Sequence, residues 1–270
     1  MIKKIVHGFV HGTQTSGRVT ACTYAIYRVI ALVMLVHELY LGRWSTAGLI
    51  LLTLALFEVP ALIEKKLQIE IPNLLEWIAI SFVFSSTILG ELSDFYGHLP
   101  FWDVLLHLTN GFLSAGIGFS LAFLLNRNVV SIQLTPIFIA ILAFCFSMTI
   151  GVVWEFLEFT ADQWFGTDMQ KDAIIQQINS VLLSGEHSNT VKHIEDIQKT
   201  VIYYHNESGD LKQLVVQGGY LDVGILDTMK DLFMNCIGAI IFSIFGYFYA
   251  KDQSGKYEFL ENFIPKNEDE

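Results

Sequence analysis

Charge is scarce in this chain. Lys, Arg, Asp and Glu make up 16% of its 270 residues, where a soluble domain carries about 25%, and they fall between long apolar runs. Positive charge is scarcer still: 16 Lys and Arg against 27 Asp and Glu leave a formal net charge of −11. That balance excludes a nucleic-acid partner, which needs a basic face. Cysteine is rare, and Cys22, Cys145 and Cys236 lie in or beside apolar runs, so packing rather than a disulfide framework is their expected role. The N-terminal stretch MIKKIVHGFVHGTQTSGR has no apolar core and no small-residue cleavage site of a secretory leader. The first span is therefore expected to stay in the mature protein as a signal anchor. There is no G-x-S-x-G motif, so a covalent serine route is not expected, and no internal repeat of the kind that builds solenoids.

Apolar residues are abundant: 53% of the chain is hydrophobic, 13% is aromatic and the mean hydropathy is +0.48. This is the composition of an all-α polytopic membrane protein. A spanning helix needs about 20 mostly apolar residues, and six segments qualify: Ala21 to Leu41, Trp44 to Ile63 (broken late by Pro60), Pro72 to Gly90, Phe101 to Leu125, Leu134 to Phe159 and Val223 to Ala250. The organisation expected is an N-terminal segment (1–20), five spans (21–159), a polar insert (160–220), a sixth span (221–250) and a polar tail (251–270). Lys and Arg in short loops mark the cytoplasmic side. Lys3, Lys4, Arg18, Lys65, Lys66, Arg127, Lys251 and Lys256 fall on one side and Arg43 on the other, which puts both termini in the cytoplasm and the insert outside. Arg28, about a turn inside that edge, can snorkel. Within the insert, Asp168 to Leu183 reads as a helix with Ile174, Ile175, Ile178 and Leu182 on one side, and Val191 to Lys199 as a second. VIYYHNESGDLKQLVV reads as a hairpin about the turn Asn206 to Asp210.

The informative residues are the ionisable ones inside the spans, because such groups are costly in a bilayer and by default mark function. At 1.5 Å of rise per residue, Asp103 lies about 3 Å, His107 about 9 Å and Asn110 about 13 Å into the fourth span. Glu158 and Glu155 lie about 2 and 6 Å from the end of the fifth, and Asp227 and Asp231 about 6 and 12 Å into the sixth. All fall in the outer half of the bilayer. Residues three and four apart share a helix face, so Asp103, His107, Asn110 and Ser114 form one stripe. Glu155, Glu158 and Asp162 form a second, and Asp227, Asp231, Asn235 and Gly238 a third. Gly111, Ala115 and Gly238 would let backbones approach closely. The fourth, fifth and sixth spans are expected to enclose an acidic pocket. Shared protons or a divalent cation must compensate its charge, and carboxylates with one imidazole suit Zn²⁺, Mn²⁺, Mg²⁺ or Ca²⁺. Asp103, His107, Asp227 and Asp231 are the candidate metal ligands. Glu155, Glu158 and Asp162 are the candidate catalytic groups, and Asn110, Gln170 and Asn235 the supporting ones. His37, Glu38, Glu91, Asp94 and His98 read as a wet rim, Trp102 and Trp154 as interfacial anchors, and His187, His193 and His205 as solvated side chains.

The stretches FWDVLLHLTNGF, VVWEFLEFTADQWFGTDMQKD and LDTMKDLFMNCIGA resemble the YjdF-type family of uncharacterised bacterial membrane proteins. The shared order is WE-x-x-E, then D-x-x-G-T-x-x-Q, then D-T-x-x-D-x-x-x-N-x-x-G-A, over roughly Phe95 to Ile240. More distantly, Asp103-x-x-x-His107, Glu155 and Asp227…Asn235…Gly238 are similar to the pattern of VanZ-like proteins, some linked to glycopeptide-antibiotic resistance. The resemblance implies a multi-span bacterial inner-membrane protein and carries over Asp103, His107, Glu155, Glu158, Asp162, Gln170, Asp227, Asp231 and Asn235. Three functions follow as expectations: a metal-dependent enzyme or binder acting on a lipid or cell-envelope substrate, a proton- or cation-coupled transporter, or a scaffold or sensor acting through the insert.

Overall fold

Long apolar segments can satisfy their backbone within a membrane only as helices, and helices dominate the computed structural model. It describes residues 17–128, 133–185, 189–252 and 256–267. The helices are α1 (Arg18–Tyr40), α2 (Trp44–Leu56), α3 (Val59–Leu67), α4 (Asn73–Phe84), α5 (Phe95–His98), α6 (Trp102–Asn128), α7 (Pro136–Phe165) and α8 (Ile225–Lys251). Among the described residues six stretches are long and apolar enough to cross a membrane: Arg18–Tyr40, Trp44–Lys66, Asn73–Leu92, Trp102–Asn126, Pro136–Phe165 and Ile225–Lys251. The second contains both α2 and α3. The chain turns at Phe57 and Glu58, and Pro60 sits in the first turn of α3, where its missing N–H is no loss. The third runs past Gly90, because α4 continues as an eight-residue π-helical stretch, Ser85–Leu92. Of the six, α6 is the most enclosed: 50% of its most apolar stretch is buried, against 33% or less elsewhere.

The chain divides into two compact units, Met1–Val152 with Asp231–Glu270, and Val153–Lys230. The first unit has two apolar cores. One joins α1, α2 and α4 through Tyr24, Ala31, Ile50, Phe57, Ile80 and Phe84. The other joins α6, α7 and α8 through Phe119, Ile139, Ala143, Ala239 and Phe242. The tail, read as polar, contributes to this second core. Its turn Glu258–Phe263 buries Leu260, Phe263 and Ile264 there, with Phe263 edge-on to Phe112 and Phe242. The tail then pairs β8 (Lys266–Asn267) antiparallel with β1 (Ile69–Glu70), beside the start of α4, where Asn73 accepts the Gly17 N–H. Gly17, the strand Lys266–Asn267 and the α3–α4 connection thus meet on one side of the first unit. Lys3 and Lys4, on which part of the orientation rests, lie outside the described residues.

Arg28 does not snorkel. It is 5% exposed, its Nη2 lies 2.5 Å from Glu58 Oε1, and its guanidinium covers the Tyr24 ring at 4.9 Å. An arginine that finds a carboxylate and an aromatic face inside the bundle need not reach for the interface. Glu76, also buried at 5%, hydrogen-bonds the Tyr24 side chain. The α1–α2–α4 side of the first unit therefore contains buried ionisable groups of its own.

The second unit corrects the helical reading of the insert. Asp168 to Leu183 contains β2 (Ala173–Ile175), β3 (Ile178–Ser180) and a 3₁₀ turn (Leu182–Ser184), and Val191 to Lys199 contains β4 (Lys192–Ile194). A short run rich in isoleucine suits helical and extended spacing alike, and β-branched side chains favour the latter when partners exist. Here they do: β2 pairs with β7 (Tyr220–Asp222) and β3 with β4, both antiparallel. The segment read as a hairpin pairs β5 (Lys199–His205) with β6 (Leu211–Gln217), closed by Asn206, whose side chain accepts the Asp210 N–H. His193 bonds Asn179 across β3 and β4 at 2.6 Å. His187 lies outside the described residues.

Acidic groups crowd at the start of this insert. Burial, together with Asp168, Asp222 and Asp162, raises the Asp172 carboxyl above its ordinary value. A raised folded-state value means that ionisation opposes folding. Stability is highest below the ordinary carboxylate range and falls as pH rises through the folded value. Asp172→Asn is expected to stabilise this unit at neutral pH by a few tenths of a kcal/mol, about the scale of a screened surface interaction, and to have no effect below about pH 4. Hydrogen-exchange protection of the β2 and β7 amides at the two pH values measures this.

Candidate metal centre

The site starts with two residues one helical turn apart. Asp103 lies in the first turn of α6 and His107 follows four residues later, so both side chains leave the same face. Asp231, 1% exposed, comes to them from α8. His107 Nε2 is 3.4 Å from Asp103 Oδ1 and 3.6 Å from Asp231 Oδ2. One ligand atom from each of the three lies within 4.8 Å of the other two. An N–H···O hydrogen bond spans about 2.7–3.2 Å, so both separations are long for one. Donors held tetrahedrally at about 2.0–2.1 Å from a cation stand about 3.4 Å apart. The two His107 separations are close to that value, and two carboxylates with one imidazole are a donor set that a divalent cation accepts. Asp103, His107 and Asp231 therefore form a group that could hold a metal ion.

What brings α8 to α6 is the absence of side chains at two positions. A Cβ on Gly111 would collide with the backbone of Asn235, and one on Gly238 with the backbone of Leu108 and Phe112. The helices cross in backbone contact, as small residues permit in membrane bundles. Below Asp103, His107 and Asp231, Asn235, fully buried, joins three helices. It accepts from Asn110 Nδ2 at 3.0 Å and donates to the Ser147 carbonyl of α7 at 3.3 Å. Ser147 Oγ in turn donates to the Gly111 carbonyl at 2.8 Å. Gly151 leaves room for the Asn235 amide. Asn110 and Asn235 thus tie together the helices that bear Asp103, His107 and Asp231. Ser147 and Gly151 were not singled out from sequence. Their i, i+4 spacing of small residues on an otherwise bulky helix was the available signal.

In the second unit the remaining candidates have other partners. Asp162 organises the loop after α7: its carboxylate accepts the Met169 and Gln170 N–H groups at 2.7 and 2.9 Å and the Thr167 hydroxyl at 2.7 Å. Gln170 donates to the Thr228 hydroxyl at 2.6 Å. Asp227 pairs with Lys230 at 2.8 Å and accepts the Lys171 N–H at 2.9 Å, so it secures the insert to the first turn of α8. Glu155 and Glu158 are 4% and 8% exposed, and Glu158 accepts the Trp154 indole N–H at 2.8 Å.

A family model described as "Predicted membrane protein (DUF2238)" matches residues 19–252. The chain belongs to that family. The match covers every helix that bears a candidate residue. An uncharacterised protein of Thermotoga maritima is 30% identical over 104 residues, which are 38% of this DUF2238 chain and 52% of that protein. The chain thus spans about half the length of that relative. No solved structure matches the DUF2238 chain. Family membership and the six apolar helices agree that this is a multi-pass membrane protein.

Proposed function

We propose that the protein is a metal-dependent enzyme or binder that acts on a lipid or cell-envelope substrate at the outer leaflet of a bacterial inner membrane. The observation that carries this reading is the convergence of Asp103, His107 and Asp231, with ligand atoms within 4.8 Å of one another. Three protein ligands are the number that catalytic sites use when a further position stays open for water or substrate. A cation there would act as a Lewis acid on a phosphate or carbonyl oxygen. Glu155 and Glu158, both buried, are the candidates for a general base. The ligands lie within the first two turns of α6 and α8, at the depth of lipid carbonyls and phosphates if the Lys and Arg bias sets the orientation. Metal analysis of the purified full chain tests the proposal. About one equivalent of Zn²⁺ or Mn²⁺ is expected in the wild type and almost none in His107→Ala, and a folded wild type that takes up neither ion overturns it.

A second reading, a proton- or cation-coupled transporter, is supported by Arg28 and Glu76, both 5% exposed. Arg28 lies in the middle of α1 and Glu76 in the first turn of α4, and ionisable groups buried within spans mark ion pathways. Flux in proteoliposomes that rises with an imposed proton gradient and vanishes in Glu76→Gln would favour it.

A further inference from the structure

A cavity of about 390 Å³ opens where α1 ends, α2 begins and the π-helical stretch Ser85–Leu92 ends. Its polar lining is Glu38, Arg43, Ser45, Thr46 and Glu91, none of which takes part in the metal centre. Glu38 is 8% exposed. It is held by His37 Nδ1 at 3.0 Å and by Arg43 Nη1 at 3.5 Å. Glu91 is exposed on the π turn, a conformation that recurs at functional sites. The apolar lining is Met34, Leu49 and Leu92.

The order of these groups along the helices is informative. Met34 precedes Glu38 by four residues on α1, and Leu49 follows Ser45 by four on α2. Each apolar group is therefore about 6 Å deeper in the membrane than its polar neighbour. Charge lies at the mouth and hydrocarbon beneath, which is the polarity profile of a lipid. Two carboxylates against one guanidinium leave the cavity with an excess of one negative charge. It suits a ligand with a cationic end for Glu38 and Glu91 and an anionic end for Arg43, whose planar fork matches phosphate oxygens, with the Ser45 and Thr46 hydroxyls as further donors. The volume is within the roughly 300–1,000 Å³ of small-molecule sites.

We propose that this cavity binds the head group of an aminophospholipid, with the primary ammonium between Glu38 and Glu91 and the phosphate against Arg43, Ser45 and Thr46. A primary ammonium offers three N–H donors to the carboxylates, and a quaternary one offers none. The site therefore prefers phosphatidylethanolamine to phosphatidylcholine, and rejects phosphatidylglycerol, which has no cation.

Native mass spectrometry of the detergent-purified full chain, titrated with these three lipids on identical acyl chains, tests the proposal. Retention of phosphatidylethanolamine at least about tenfold above the other two is expected. Glu91→Gln removes that preference, and Arg43→Ala weakens phosphatidylethanolamine and phosphatidylcholine alike. Glu91 is on the surface, so its replacement is expected to leave thermal unfolding unchanged, and a melt of each variant checks this. Equal retention of the three lipids, or an unchanged preference in Glu91→Gln, overturns the proposal. Competition by soluble glycerophosphoethanolamine at the lipid's own concentration would assign the cavity to a free phosphoamine and overturn the lipid assignment.

Discussion

Asp231→Ala is expected to lower affinity for a divalent cation by at least about 100-fold, the upper end of what disturbing even the support of a metal ligand costs. Asp227→Ala is expected to leave it within a few-fold. The two acids are four residues apart on α8 and share a face in sequence, yet their partners differ. Asp231 is 1% exposed, with Oδ2 at 3.6 Å from His107 Nε2. Asp227 is committed to Lys230 and to the Lys171 N–H. Asp227→Ala should instead loosen the insert, seen as faster hydrogen exchange at Lys171, with metal content unchanged. Isothermal titration with Zn²⁺ or Mn²⁺, together with exchange mass spectrometry, reads both effects. Equal loss of metal in the two variants would mean that Asp227 is a ligand after all.

The second large effect concerns the crossing of α6 and α8. Adding a methyl group at Gly111 or Gly238 places it against backbone, not against a side chain that can turn away. Overpacking costs about 1–3 kcal/mol where side chains can adjust, and backbone collisions exceed that range. Gly238→Ala is expected to lower the unfolding temperature in detergent sharply and to abolish metal retention, because moving α8 away carries Asp231 from His107. Gly48→Ala is the matched control: a Cβ there meets nothing within 4 Å, so the melt should not shift. A Gly238→Ala variant that keeps both its melting temperature and its metal would show that the helices can separate without breaking the triad.

The arrangement of the centre was legible in the sequence because helical periodicity carries it. Asp103 and His107 are one turn apart, Asp231 and Asn235 likewise, and the glycines that let the two helices meet lie on the same faces. Asp227 shares the Asp231 face by that periodicity and was read as a ligand. The same periodicity puts Lys230, three residues on, within reach of that carboxylate; what it could not show is that Lys171 returns from the insert to the same group. The insert was misread for a related reason: Ile174 and Ile178 fit a helical repeat, and their strand partners are Leu221 and Ile194, too distant in the chain for any local pattern to reveal. Arg28 was expected at the interface because Glu58 and Glu76 come from other helices. The cavity at Glu38 and Glu91 was visible only as a polar rim, since its shape depends on the π turn.

One packing detail bears on which parts of the chain the bundle can spare. Leu260, Phe263 and Ile264 fill the α6–α7–α8 core from a segment that follows the last span, and β8 pairs with the strand after α3. A stretch that a hydropathy profile would discard as a tail is therefore part of the packing around the helices that carry Asp103, His107 and Asp231, and trimming it would leave a void where aromatic and aliphatic groups now lie.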